Sequence, residues 1–204
     1  FWRFIGYYLR EGHINDDDSG HGTTTRRRIF LSFHPTDEQA YVEDVASYLD
    51  SLGIRHRTET QETTTQIEVS SRVLAYFLEW LGCGTGSYTA AIPHVAYQEP
   101  TAHRRALLAG LFRGDGYIEY TSHSNAVVYD YGSVSEELIQ GMQFLLHSLG
   151  VVPSYKTSQS EKSTQPAHFL RVSWKRQMAE LKDLFLPAEQ EKIERRLDAY
   201  DRDI

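Results

Sequence analysis

Apolar positions along the chain follow two periods, and the periods recur in the same order twice. The stretch Phe4-Ile-Gly-Tyr-Tyr-Leu-Arg-Glu-Gly12 is an apolar helical run with Gly in third place and acid-Gly at its end, and Leu108-Ala-Gly-Leu-Phe-Arg-Gly-Asp-Gly116 repeats it 104 residues later. Period-two alternation follows each copy: His13-Ile14 and Ile29 to Phe33 read as one strand pair, and Tyr117 to Tyr120 with Ala126 to Tyr131 as its counterpart. Helical spacing then returns. Thr36 with Gln39 predicts the start of a helix striped by Val42, Val45, Leu49 and Leu52; Ser133 with Glu136 opens a second, striped by Leu138, Met142, Leu145 and Leu149.

These helices end alike, as Ser51-Leu-Gly-Ile54 and Ser148-Leu-Gly-Val151, 97 residues apart. The shortfall of seven against 104 places an insertion in the first copy, in the polar tract Asn15 to Thr25. Strands over Ile54 to Thr60 and Gln66 to Val69 lead to a helix from Ser71 to Leu81. In the second copy Val151 to Lys156 and Ala167 to Val172 lead to a helix from Trp174 to about Leu186. Each copy therefore reads αββαββα, a repeat that composition alone would not generate. The expected fold is α+β: two pseudo-symmetric αββαββα halves with saddle-shaped antiparallel sheets and a central two-helix interface. Residues 1–82 form the first half, 83–102 a linker, 103–186 the second half and 187–204 a charged helical extension.

Composition narrows the setting. The chain has 204 residues, 40% of them hydrophobic, and no apolar run long enough for a membrane span or a secretory core, which leads to the expectation of a cytoplasmic protein. One cysteine, Cys83, excludes an internal disulfide and a thiolate metal cluster. The net charge of −7 argues against an evenly basic surface, so any phosphate-binding face must be local. Residues 1–100 carry 8 basic and 14 acidic side chains and residues 101–204 carry 13 and 14; every lysine lies at or beyond Lys156.

The two glycine-bearing helices suggest a site. Glycine inside a helix costs about 1 kcal/mol relative to alanine, and Gly6 and Gly110 justify that cost if the helices cross face to face. Gly12 and Gly116 are expected to end them in left-handed caps. Glu11 and Asp115 would then emerge side by side. Two carboxylates there repel one another and sit at the unfavourable ends of two helix dipoles. A divalent cation relieves both, and hard oxygen donors suit Mg²⁺ or Mn²⁺.

These segments resemble the LAGLIDADG (DOD-type) homing endonucleases, in particular the single-chain, two-motif form found in inteins. Leu107 to Gly116 is close to the family signature; the first copy is looser, with Tyr7, Tyr8 and a Glu in the acidic place. The resemblance implies a nucleoid-associated monomer with a pseudo-symmetric saddle on a long asymmetric site in double-stranded DNA, and metal-dependent phosphodiester hydrolysis with Glu11 and Asp115 as ligands and catalytic acids. Groove contacts are expected from Arg26, Arg27, Arg28, Arg55, Arg57, Lys156 and Arg171.

One departure stands out. Where such relatives carry a pocket lysine, this chain reads Tyr88-Thr-Ala-Ala-Ile-Pro93. Lys175 or Lys182 is the candidate substitute. The alternative reading is a DNA-binding domain of the same fold with weakened or lost nuclease activity. The acidic run Asn15-Asp-Asp-Asp-Ser-Gly20 reads as a solvated turn, and His13 as the start of a strand.

Overall fold

The computed structural model describes residues 1–17, 26–113, 117–121, 126–159 and 163–199. Asp115 and Gly116 lie outside them, as do residues 18–25 of the expected insertion and the last five residues of the C-terminal extension. In the first half the elements are α1 (Trp2–Glu11), β1 (Gly12–Asp17), β2 (Arg26–Phe33), α2 (Gln39–Ser51), β3 (His56–Thr60), β4 (Thr65–Val69) and α3 (Arg72–Leu81). A 3-10 turn, His94–Gln98, precedes the second set: α4 (Thr101–Phe112), β5 (Tyr117–Thr121), β6 (Ala126–Ser133), α5 (Glu136–His147), β7 (Ser154–Ser158), β8 (Ala167–Val172), α6 (Lys175–Leu181) and α7 (Pro187–Asp198).

Both sheets are four-stranded and antiparallel, ordered β1-β2-β4-β3 and β5-β6-β8-β7. Their registers match: Ile29 stands opposite Val69 in one, Tyr129 opposite Val172 in the other. Period two then sorts the side chains. Ile29, Leu31, Phe33, Ile67 and Val69 turn under the helices with at most 2% exposure, each aliphatic among them contributing about 1.5–3 kcal/mol relative to an exposed position. The opposite faces carry the polar partners and remain open.

Between the sheets run α1 and α4. Every residue of α1 from Phe4 to Leu9 is buried, as is every residue of α4 from Leu107 to Phe112. A helix apolar on all sides belongs in a core, and these two form the seam between halves. Cys83 is buried beside it; burial pushes its thiol up to about 12, so it is an inert, protonated group at neutral pH.

Local starts and stops differ from the sequence expectation in several places. Thr36 does not cap α2: its hydroxyl is engaged with His34 and Asp37, and the helix begins at Gln39 after a turn. Ser135, not Ser133, caps α5, accepting from the Leu138 amide at 3.2 Å. The last expected helix breaks at a 3-10 turn, Lys182–Leu184, because Pro187 starts a new helix whose Ile193 and Leu197 are buried.

Gly12 is not a left-handed cap. Its φ is −98° and ψ 147°, the extended start of β1. A side chain there would meet Tyr8, with a Cβ 2.4 Å from its ring and 2.5 Å from its carbonyl, so glycine serves close approach.

Candidate nucleic-acid interface and central acid

The seam is built on two glycines. A Cβ on Gly6 would lie 2.3 Å from the Leu107 carbonyl oxygen and 2.7 Å from the Gly110 Cα; one on Gly110 would lie 2.1 Å from the Arg3 carbonyl oxygen and 2.8 Å from the Gly6 Cα. Backbone therefore rests on backbone. The N-terminal parts of both helices, including Phe1 to Phe4 and His103 with Ala106, line one cavity, so the two helices leave the crossing in the same direction. Glu11 follows Gly6 by five residues, and Asp115 follows Gly110 by five.

Two neighbouring buried tyrosines lock α1 to the rest. Tyr7 donates to Asp44 on α2 at 2.9 Å, and Tyr8 to the Gly84 carbonyl at 2.7 Å. Burial first, with Asp44 second for Tyr7, raises both phenols well above the usual range, so both are donors.

At the C-terminal end of α1, Glu11 lines a cavity of ≈ 510 Å³ with Arg10, Gly12, His13, Ser32 and the Thr85–Thr89 loop. Its Oε1 accepts from Arg10 Nε at 2.6 Å. The Arg10 side chain is 1% exposed and that of Glu11 17%. Glu11 is a hard oxygen donor facing a cavity, which suits a divalent cation in kind; among the described residues no group of three His, Cys, Asp or Glu side chains gathers there.

The sequence-predicted arginines divide by strand parity. Arg27 shares the parity of Ile29 and Leu31 and turns to the helix side, bonded to Asp16 at 2.9 Å and Glu79 at 2.6 Å, with its guanidinium over the Tyr76 ring at 4.5 Å. The Glu79 bond, above all, raises its already high pKa. Arg27 therefore ties β2 to α3 from the helix side of the sheet. Arg26, Arg28 and Arg57 lie on the open face with Asp17, Glu59 and Glu68 as counterparts.

Arg28 bonds Glu68 at 2.7 Å and Asp17 at 3.0 Å; Arg57 meets Glu59 at 2.8 Å. Arg26 is exposed, while Arg55 falls in the loop before β3, outside the sheet. Asn15, Asp16 and Asp17 accordingly belong to β1, and two of the expected turn aspartates are neutralised across the strand pair.

On the second sheet Lys156 is exposed on the open face opposite Phe169, and Arg171 is fixed by Asp130 through contacts of 2.7 and 2.5 Å. Neither candidate substitute for the pocket lysine is among the residues that line the Glu11 cavity. Lys182 bonds Glu194 on α7 at 2.5 Å, and Lys175 begins α6; neither lines either cavity that Arg10 lines. Ala90 and Ala91 are buried, the Ala90 carbonyl accepting from Ser135 at 2.6 Å.

Two features lie outside the sequence-based expectations. Arg10 is a buried charge in an apolar helix, and the hint was its register with Gly114 in the other copy. His13 stacks on Phe30, centroids 5.3 Å apart, so the open face offers flat rings as well as ions.

Comparison with known proteins agrees with this geometry. Residues 102–184 match the family described as the LAGLIDADG-like domain. An uncharacterized protein of Methanocaldococcus jannaschii is 34% identical over 186 residues, which is 91% of this chain but only 21% of that protein, so the chain spans about a fifth of this relative's length. The solved structure of the homing endonuclease I-DmoI in complex with DNA and Ca superposes with a TM-score of 0.67 at 14% identity, covering 95% of this chain and 96% of that one. The LAGLIDADG homing endonuclease I-GzeII in complex with its DNA target gives 0.61 at 9% identity over 98% of this chain and 89% of its own. No helix among the described residues is long and apolar enough to cross a membrane. This chain thus carries a LAGLIDADG-like domain at residues 102–184 and, across its two halves, the single-chain, two-motif fold of the LAGLIDADG homing endonucleases.

Proposed function

We propose that the chain is a site-specific module for double-stranded DNA, that it works as a monomer on a long asymmetric site, and that Glu11 and Asp115 form its candidate hydrolytic centre. The observation that carries this reading is the parallel crossing at Gly6 and Gly110, from which both acids are five residues distant. The open sheet faces flank that crossing. Their exposed Arg26 and Lys156 offer donors to phosphate or base edges, while Arg28, Arg57 and Arg171, already bonded to acids, are oriented for shape-dependent contacts. Different residues on the two sheets give an asymmetric site. An intein, or another insertion in a longer polypeptide, suits a chain that matches only 21% of its relative's length.

Glu11 and Asp115 would hold Mg²⁺ or Mn²⁺, which when bound supplies an activated water and a polarised phosphodiester. The chain's own part is to fix the carboxylates by the seam and to bring the duplex across them. Binding with weak or absent cleavage is the second reading, and the Arg10–Glu11 ion pair favours it. Selection from a random duplex pool at low salt is expected to enrich one asymmetric sequence, with affinity falling steeply as salt rises. Retention of no duplex overturns the DNA reading. Incubating a plasmid bearing the enriched site with Mg²⁺ or Mn²⁺ then separates the two readings: cutting lost in a Glu11→Gln, Asp115→Asn double variant assigns hydrolysis to these acids, and binding alone selects the second.

A further inference from the structure

A guanidinium removed from water is costly unless a counter-charge and hydrogen-bond acceptors replace its hydration. Arg10 meets this demand at the carboxylate to which the proposed function gives the metal. Its Nε lies 2.6 Å from Glu11 Oε1, and its side chain is 1% exposed. It also lines the cavities on both sides of this point: one with Glu11, His13 and Ser32, the other with Leu9, Tyr131 and Phe169. The guanidinium therefore stands where the two halves meet. The matched residue of the second motif is Gly114, so this charge is present in one copy only.

We infer that Arg10 is a resident cation, taking at Glu11 the electrostatic place of a divalent ion and holding the wild-type chain as a duplex binder with a suppressed metal site. This inference rests on the proposed role of Glu11. Arginine supplies a permanent, delocalised positive charge whose N–H groups match a carboxylate. Its position at the C-terminal end of α1 is also favoured by the helix dipole. A divalent ion would have to break a charge-assisted hydrogen bond and then sit beside a like charge with little water between them. Mg²⁺, reluctant to shed its own water, is especially disfavoured.

The test is Mn²⁺ and Ca²⁺ titration of the wild type and Arg10→Met, read by calorimetry and by melting temperature without DNA. Methionine keeps much of the buried volume but removes the charge. The expected result is at least about tenfold tighter Mn²⁺ binding by Arg10→Met, with a melting temperature that rises with Ca²⁺ as linkage requires, and little response from the wild type. Equal binding by both proteins, or no gain in Arg10→Met, overturns the inference.

If Arg10→Met does not fold, the wild type and Glu11→Gln decide alone: indistinguishable Mn²⁺ titrations support the inference, and wild-type binding lost in Glu11→Gln overturns it. Duplex retention is measured separately. Its loss in the wild type would end the DNA reading without changing what the metal titrations say of Arg10.

Discussion

Phe1 and Arg105 occupy matched places in the two halves, five residues before the crossing glycine, and they meet their neighbours by opposite chemistry. Register equates α3 with α6, since Val69 and Val172 stand at the same point of their sheets and each helix starts three residues later. Phe77 then corresponds to Glu180, and Trp80 to Asp183. In the first half Phe1 packs on Phe77, ring centroids 6.0 Å apart, and Phe77 on Trp80 at 6.2 Å. In the second half Arg105 bonds the Glu180 carbonyl at 2.7 Å and both the Glu180 and Asp183 carboxylates. The same scaffold position accepts an aromatic cluster or an ion network. At the glycine seam, by contrast, the halves agree.

That contrast separates what the fold demands from what it permits, and Gly110→Ala is the sharpest way to break it. The added methyl would lie 2.1 Å from a backbone oxygen and 2.8 Å from a backbone carbon, neither of which can swing aside. Overpacking of this kind costs typically about 1–3 kcal/mol, and a rigid clash belongs at the upper end, so a loss of about 3 kcal/mol or more is expected. Urea unfolding measures it. Stability within about 0.5 kcal/mol of wild type, the range of an ordinary surface change, would mean that the helices are not held by backbone approach.

The features legible in the sequence were those fixed by period and symmetry. Gly6 and Gly110 declared the seam because glycine is costly in a helix, and the alternation of Ile29, Leu31 and Phe33 declared a one-sided strand. That same alternation could have excluded Arg27 from the open face, since it shares Ile29's parity; treating Arg26 to Arg28 as one basic cluster hid the fact. Other features depend on neighbours distant in sequence. Glu79 captures Arg27 across 52 residues, and Glu194 captures Lys182 after a helix break that Pro187 imposes. Arg10 could be recognised as a buried charge only when the helix was known to be covered on all sides. Thr36 matched a capping pattern, but its hydroxyl had nearer partners in the turn.

Arg105→Ala tests the polar side of the comparison. Its side chain is 21% exposed, but both carboxylate-bearing side chains are more than half exposed and would rehydrate once it is removed. The bond to the Glu180 carbonyl and the packing of the stem are the larger losses. A cost of about 1 kcal/mol is expected, reduced only slightly by high salt, because screening weakens the ion pairs and not the carbonyl bond. A cost that vanishes in salt would assign the whole effect to charge.

The smallest expected effect is the most informative about the aromatic side. Trp80 is 80% exposed and Val73 82%, so the α3 face gains little from burial within the chain. Trp80→Asp copies the residue that the second half carries at the matched position. A face whose apolar character contributes nothing to the fold should tolerate that exchange within about 0.5 kcal/mol by urea unfolding. Aspartate forms helix less readily than tryptophan, and here it stands in the last turn where the dipole disfavours it, so a slight loss is the expected sign. A loss above about 2 kcal/mol would place Trp80 among the groups that hold Phe1 and Phe77 together. The two halves would then differ in how they stabilise α1 and α4, and not merely in what they present to solvent.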